Sequence, residues 1–264
     1  MKSRFKHLVV SGCSFTHEPV NDWNPFSWAN TFGAQTDMEV HNLAIPGAGN
    51  DHISKSIILY LEKNKFNPAD TLVLAMWSGV GRIDWITDKS LSHFGKYNYD
   101  DNNEIALGGS WWNQRNPSHL IKTLIEYSKY QSDSTFALHS WLAMKNLSTY
   151  LTVNNFKYYF TSFVNYNNRS VRKHNNIKGD ALVVNFFKEL EKINLSIDQS
   201  HWLKLADKDY YGDWAKEHDF LDNDDFHPKY PQATEGWVNE ILIPLMKNEG
   251  ILYDRQKRTT KSIL

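Results

Sequence analysis

The sequence lacks several features that whole classes of protein need. It has one cysteine in 264 residues, which excludes an intrachain disulfide framework and a cysteine-rich metal site. Its formal net charge of -1 provides no overall positive field for nucleic acid or an anionic membrane. No apolar run approaches the roughly 18 residues of a membrane span. The apolar run at residues 8–10 is also too short for the core of a signal peptide, so we expect a cytoplasmic protein.

The sequence nevertheless has enough apolar material for a folded core. Apolar residues make up 41% and charged residues 22%, a balance typical of globular proteins. We find no repeat, low-complexity tract or clear linker, and therefore predict one domain over residues 1–264 with a solvated basic tail at about 254–264. The ten tryptophans have two interpretations, core packing or stacking platforms for sugar rings and bases.

Short apolar segments alternate with amphipathic ones along the chain. We predict strands at residues 6–11, 38–43, 71–77, 156–164 and, more weakly, near 201–205, and helices at 25–34, 51–63 and 237–246. This alternation predicts an α/β fold, a three-layer sandwich with a five-stranded parallel sheet. Residues 83–151 form a large insertion after the third strand. Its first half is polar and predicted to be irregular, and its second half, from 118, helical; part of it is expected to form a lid or wall over the sheet.

Two motifs at opposite ends of the chain carry the residue types of hydroxyl nucleophile chemistry. Residues 12–16 (Gly-Cys-Ser-Phe-Thr) follow the first strand and place Ser14 at the carboxyl end of the sheet. Residues 224–228 (Asp-Asp-Phe-His-Pro) place Asp224 three positions before His227. A serine, a histidine and an aspartate are the minimum set for this chemistry. The loops at 46–50 and 77–82 follow the second and third strands, so a doubly wound sheet would bring all four segments to one crevice.

The order of these motifs resembles the SGNH (GDSL-like) hydrolase family. Its first block carries the nucleophile in a Gly-x-Ser turn, which Ser14 matches, with Cys13 where an aspartate is common. Its last block, Asp-x-x-His-Pro, matches residues 224–228, so the resemblance implies that His227 is the base and Asp224 its orienting carboxylate. The resemblance further implies a flavodoxin-like strand order and a serine ester hydrolase that uses neither a metal nor another cofactor.

The resemblance also implies an oxyanion hole. Its donors would be the amides of Ser14 and Gly47, with Gly49 as the alternative to Gly47. The family's third block, Gly-x-Asn-Asp, has no counterpart here, and Ser78 lies nearest to the place of its asparagine. Loss of one such donor typically costs about 2.7–4 kcal/mol of transition-state stabilisation. The alternative donors, also expected to contact substrate, are Asn50, Trp77 and Arg82.

Each of these residues has a structural interpretation as well. Ser14 and Asn50 can cap helices, Ser78 can simply end a strand, and His227 with Pro228 can begin a helix. Cys13 is expected to point into the core. The acidic residues 222–225 can form a solvated loop or a loose cation site, although no spacing resembles a metal motif. Trp111 and Trp112 can pack under a lid or line a sugar-binding wall.

We favour a serine esterase acting on a small-molecule or carbohydrate acyl ester, with O-acetylated sugars as one class. Acyl transfer to a second hydroxyl at the same site is a close relative. The competing class is a non-catalytic carbohydrate- or ligand-binding module, which the absent asparagine favours. Neither nucleic acid nor a membrane is expected as a partner, and the oligomeric state stays open. The enzyme hypothesis predicts that Ser14 Oγ lies within hydrogen-bond reach of His227.

Overall fold

The computed structural model describes residues 1–17, 27–88, 97–98, 103–108, 130–163, 166, 185–203, 210–220 and 231–254. Its strands are β1 (Lys2–Ser3), β2 (His7–Ser11), β3 (Glu39–Asn42), β4 (Thr71–Trp77), β5 (Ile83–Asp88), β6 (Tyr97–Asn98), β7 (Asn103–Gly108), β8 (Lys157–Ser162) and β9 (Leu252–Tyr253). Its helices are α1 (Trp28–Thr36), α2 (Asn50–Asn64), α3 (Asp133–Val153), α4 (Phe186–Lys192), α5 (Tyr211–Glu217), α6 (Gln232–Trp237) and α7 (Ile243–Asn248). A 3-10 turn (Pro68–Asp70) precedes β4, and a π-helical turn (Val238–Leu242) joins α6 to α7.

The central sheet is parallel, with the strand order β3-β2-β4-β8. At its far edge Trp202 forms a single parallel bridge to Phe160, fixed by 2.8 Å hydrogen bonds from Phe160 N to His201 O and from Leu203 N to Phe160 O. Counted along the chain, the order is second, first, third, fourth, with the bridge in fifth place. This is the flavodoxin-like order, so the predicted α/β class is confirmed.

Four of the five predicted strands are formed in the part of the chain that the structure describes. Of the expected fifth strand at 201–205, residues 201–203 form the bridge at Trp202, and residues 204–205 lie outside the described residues. A turn closed by Trp202 N donating to Gln199 O lies directly before that bridge. The turn therefore limits the extended chain on the amino-terminal side of the bridge.

The two central strands are buried because helices cover both faces of the sheet. All seven residues of β4 are buried, as the continuous apolar run predicted, and its bounds match the prediction at 71–77. Helices α2 and α3 pack together, while α1 packs against α6 and the π-helical turn. The helix predicted at 25–34 is α1, whose N-cap Ser27 accepts from Asn30 N at 3.2 Å. Trp28 and Phe32 are fully buried, as their spacing predicted.

The last helix differs from the prediction in its buried face. The spacing of Trp237, Ile241 and Leu245 places them on one side of an amphipathic helix, but Ile241 and Leu245 are only half-buried. The π-helical turn widens one turn of the helix and rotates the residues after it. The buried residues are consequently Trp237, Val238, Leu242, Ile243 and Met246.

The segment after β4 is more regular than its polar composition indicated. Strands β5, β7 and β6 form an antiparallel sheet in that order, and Ile83 pairs with Gly108 at its base. For the described part of the first half, irregular structure was therefore a wrong prediction, because the apolar runs at 85–86 and 105–107 lie within paired strands. The helical second half is confirmed at α3. None of the helices described is both long and apolar enough to cross a membrane.

Candidate active site

Ser14 lies on a tight turn at the carboxyl end of β2. Thr16 N and His17 N both donate to Cys13 O at 2.9 Å, which curls the chain immediately after the strand. A Cβ on Gly12 would lie 2.3 Å from Thr16 Oγ1, so this turn accepts only glycine there. Every residue from 11 to 16 is buried except Ser14, which is half-buried. Cys13 is fully buried, as expected. Ser14 is thus the one residue of this segment that is partly exposed.

The turn is fastened to the loop that follows β3. Asn42 Nδ2 donates to Thr16 O at 2.8 Å, and His17 Nδ1 donates to Ala44 O at 2.8 Å. From the other side, Trp28 Nε1 donates to Thr16 Oγ1 at 3.2 Å. These bonds position the Ser14 turn relative to the loop that carries Gly47. The first and third parallel strands, β2 and β4, are neighbours, so the loops that follow these two strands border the crevice at which this fold binds ligands.

Gly47 occupies a second turn at the same edge of the sheet. Ala48 N donates to Ile45 O at 3.2 Å, Pro46 is the second residue of the turn, and Gly47 has a φ of 88°. Proline followed by a positive-φ glycine is the signature of a type II turn. Gly47 is half-buried, and its amide has no acceptor among the described residues. It is a backbone donor available to a ligand.

Gly49, the alternative to Gly47 as an oxyanion-hole donor, uses its amide within the protein. Its amide donates to Asp84 Oδ1 at 2.7 Å, and His52 N donates to Asp84 Oδ2 at 2.9 Å. Gly49 is the N-cap of α2, so the interpretation of Asn50 as a helix cap is wrong. A carboxylate from β5 satisfies the helix end instead. Burial raises the pKa of Asp84 to about 6, against the opposing effect of these two hydrogen bonds and of Arg82.

Ser78 and Asn50 are locked together at the end of β4. Ser78 N donates to Asn50 Oδ1 at 2.8 Å, and Asn50 Nδ2 donates to Ser78 O at 3.2 Å and to Ser140 Oγ at 3.0 Å. Tyr166 donates its hydroxyl to Ser78 O at 2.5 Å, and Ser78 Oγ donates to Ala48 O at 2.8 Å. Both side chains are buried. In this arrangement the hydroxyl proton of Ser78 is directed at Ala48 rather than at the crevice.

The side chains of Arg82 and Trp77, the other expected donors, interact with the rest of the protein. Arg82 Nη1 donates to Ala48 O at 3.0 Å. Trp77 is fully buried and meets Phe160 edge to face, so its position does not support contact with substrate. Gly79, which the sequence did not single out, is half-buried; its amide has no acceptor in the described part of the chain, and a Cβ there would meet open space. The backbone of Gly79 is therefore more accessible than the side chain of Ser78.

Several predicted site residues lie outside the described residues. These are Asp224, His227, Trp111 and Trp112, and their roles stay predictions. The described residues show one group of side chains arranged like metal ligands, and it lies away from Ser14, at the amino ends of β2 and β3.

Comparison with known proteins gives structural likeness only. No protein-family model and no curated protein matches the sequence. Similar solved structures include protein YxiM from Bacillus subtilis, with 12% identity and a TM-score of 0.46 over 94% of this chain. This chain spans 57% of that longer one. The psychrotrophic esterase EstA from Pseudoalteromonas sp. has 12% identity and a TM-score of 0.44, covering 92% of this chain and 98% of that one. A candidate GDSL-like lipase from Parabacteroides merdae has 10% identity and a TM-score of 0.40, covering 96% of this chain and 100% of that one.

The GDSL-like family that the sequence motifs resembled is thus also found among the structural neighbours. These three neighbours have TM-scores below 0.5, so the function proposed for this chain rests on its own residues.

Proposed function

We propose that this chain is a serine ester hydrolase of the SGNH kind, with Ser14 as the nucleophile. One observation carries the proposal: Ser14 is the single half-exposed residue of an otherwise buried strand-to-turn segment, at the ligand-binding edge of a flavodoxin-like sheet. Partial exposure at this position is what a nucleophile needs, whereas the neighbouring residues of the segment are all buried. Beside it, the Gly47 turn offers a backbone donor.

In the proposed mechanism, His227 accepts the hydroxyl proton of Ser14 while Ser14 Oγ attacks the ester carbonyl carbon. The tetrahedral intermediate collapses, the alcohol leaves with the proton from His227, and an acyl-enzyme remains. Water, deprotonated by His227, then releases the carboxylic acid and restores Ser14. Asp224 holds the imidazole in the required tautomer throughout.

The oxyanion hole in this proposal is built from backbone amides. Ser14 and Gly47 supply two of them, and we assign the third to Gly79 in place of the missing asparagine. The assignment follows from the hydrogen bonds at the end of β4, where the Ser78 hydroxyl donates to Ala48 and the Asn50 carboxamide is held by Ser78. Fixed amides act without reorganisation as charge develops on the oxygen.

The proposed substrate is a small-molecule or carbohydrate acyl ester. Sugar O-acetyl esters fit if Trp111 and Trp112 line the crevice, since indole rings stack on sugar faces. The same site would transfer the acyl group if a second hydroxyl replaced water. A ligand-binding module without turnover is the second candidate, favoured by the engagement of the Ser78 hydroxyl with Ala48.

Hydrolysis of p-nitrophenyl esters of increasing acyl length tests the proposal. Ser14→Ala should abolish turnover, whereas Cys13→Ala should retain it because that thiol is buried. Ser78→Ala separates the two versions of the oxyanion hole. If its hydroxyl were the third donor, kcat would fall about 10²–10³-fold; with Gly79 in that role, kcat should fall by less than about 10-fold. Turnover by Ser14→Ala equal to wild type would contradict the proposal.

A further inference from the structure

Two histidines and a glutamate converge on the face of the sheet near the amino ends of β2 and β3. In the parallel register His7 stands opposite Glu39, and His41 follows two residues later on the same face of β3. His7 Nδ1 lies 3.2 Å from Glu39 Oε2 and 3.3 Å from His41 Nε2. His41 Nε2 lies 3.9 Å from Glu39 Oε1. Candidate ligand atoms of all three residues lie within 4.8 Å of one another.

We propose that His7, Glu39 and His41 form a binding site for a divalent transition metal ion, with Zn²⁺ as the fitting occupant. Tetrahedral coordination with bonds of about 2.0–2.1 Å places neighbouring ligand atoms about 3.3 Å apart. The separations of 3.2 and 3.3 Å between His7 and its two partners match that spacing. Two imidazoles and one carboxylate are a ligand set that proteins use for zinc, and three protein ligands leave the fourth position to water.

Tyr60 supports this arrangement through a hydrogen bond to one of the proposed ligands, His41. Its hydroxyl lies 3.0 Å from His41 Nδ1. When Nδ1–H donates to Tyr60, the lone pair of Nε2 points toward His7 and Glu39, which is the tautomer that a metal requires.

Phe66 holds the two imidazoles in place. Its ring packs edge-on against His7 and His41, with centroid distances of 5.1 and 4.9 Å. The open side belongs to Glu39, whose side chain is 66% exposed, while those of His7 and His41 are 29% and 14% exposed. An ion can therefore enter past the exposed carboxylate of Glu39 toward two rings that pack against Phe66.

The alternative is a metal-free cluster in which His7 and His41 share one proton. In that arrangement His7 Nδ1, 3.2 Å from Glu39 Oε2, is the shared partner of His41 and Glu39, whereas a metal ion would engage all three side chains directly. The cluster lies at the amino ends of the strands, opposite the edge that carries Ser14, so the site is separate from the proposed catalytic crevice. The ion would cross-link the edge strand β3 to the central strand β2.

Calorimetric titration of the untagged full-length protein with Zn²⁺ tests the site. Wild type should bind one equivalent, and His41→Gln and Glu39→Gln should each weaken binding by more than about 10-fold. Tyr60→Phe should weaken it by about 10-fold, the usual effect of losing an outer-layer partner. The matched control is His139→Gln, which removes an exposed imidazole on α3 and should bind like wild type.

Two further measurements keep the outcome decisive. Zn²⁺ should raise the melting temperature of wild type and of His139→Gln but not that of Glu39→Gln, whose exposed side chain can be replaced without disturbing the core. Co²⁺ should give the visible absorption of a tetrahedral site in wild type and lose it in His41→Gln. Absence of Zn²⁺ binding by wild type, or equal affinity in folded His41→Gln and Glu39→Gln, would overturn the proposal.

Discussion

Replacing Asp84 with asparagine should make the stability of this protein depend on pH far more strongly than that of wild type. Two groups at the amino end of α2, His52 on the helix itself and Asp84 on β5, have pKa values displaced in opposite directions. Burial raises the pKa of Asp84 from 3.8 to about 6, and burial lowers that of His52 from 6.5 to about 4. His52 Nε2 is buried and has no hydrogen-bond partner in the described part of the chain, which explains why its charged form is disfavoured.

The two groups change the free energy of unfolding with opposite signs. Folded Asp84 holds its proton more tightly than the unfolded chain does, so its contribution falls as the pH rises from about 4 to 6. His52 is protonated more readily in the unfolded chain, so its contribution rises between about pH 4 and 6.5. One pKa unit corresponds to 1.36 kcal/mol, so each effect amounts to about 3 kcal/mol. In wild type they largely cancel.

Urea denaturation followed by tryptophan fluorescence from pH 4 to 7 measures these effects. Relative to wild type, Asp84→Asn should gain about 3 kcal/mol of unfolding free energy as the pH rises through this window. His52→Gln removes the other group and should lose about 3 kcal/mol relative to wild type over the same window. A difference between Asp84→Asn and wild type that stays constant within about 0.5 kcal/mol from pH 4 to 7 would refute the reasoning.

Three substitutions test the positions of the loops around Ser14. Asn50→Ala should lower the free energy of unfolding by about 2–4 kcal/mol in urea, because the buried amide of Ser78 loses its acceptor. Gly47→Ala should cost about 1–2 kcal/mol in the same assay, because its φ of 88° disfavours a side chain. Gly12→Ala should abolish esterase activity while circular dichroism still shows a folded protein, because a Cβ would lie 2.3 Å from Thr16 Oγ1.

Two matched variants serve as controls for these measurements. Asn64→Ala removes an exposed carboxamide that donates to Tyr60 O, and should change stability by less than about 0.5 kcal/mol. Gly79→Ala adds a methyl group in open space and should be similarly mild in stability. If Asn50→Ala were as mild as Asn64→Ala, or Gly47→Ala as mild as Gly79→Ala, the structural roles argued for those residues would be wrong.

The sequence was most informative where one local pattern decides the structure. The uninterrupted apolar run of β4 requires a strand buried on both faces, and its bounds were predicted without error. The glycine turn after β2 likewise placed Ser14 at the carboxyl edge. By contrast, the bond from Gly49 to Asp84 joins residues 35 apart, and that from Tyr166 to Ser78 joins residues 88 apart. Such partners are chosen by the folded chain as a whole, and neighbouring residues carry no signal for them.

The candidate site also combines features that the local sequence predicts with features that depend on long-range contacts. The positive φ of Gly47 follows from its place after Pro46, and the sequence indicated that turn. The sequence did not reveal that Ser78 directs its hydroxyl at Ala48, because this depends on how the loops after β3 and β4 meet. The contact between these two loops also leaves the amide of Gly79 available. The pairing of Ser14 with His227 stays a prediction.

Covalent labelling of intact protein by a fluorophosphonate probe tests the central claim most directly, because the probe reacts with activated serines. Wild type should be labelled at Ser14, and Ser14→Ala and His227→Ala should each lose the label. Ser11→Ala is the matched control, since its hydroxyl is buried against that of Ser56 at 2.8 Å, and it should be labelled like wild type. A folded wild-type protein that takes no label, or a Ser14→Ala variant labelled as fast as wild type, would contradict the assignment of Ser14 as the nucleophile.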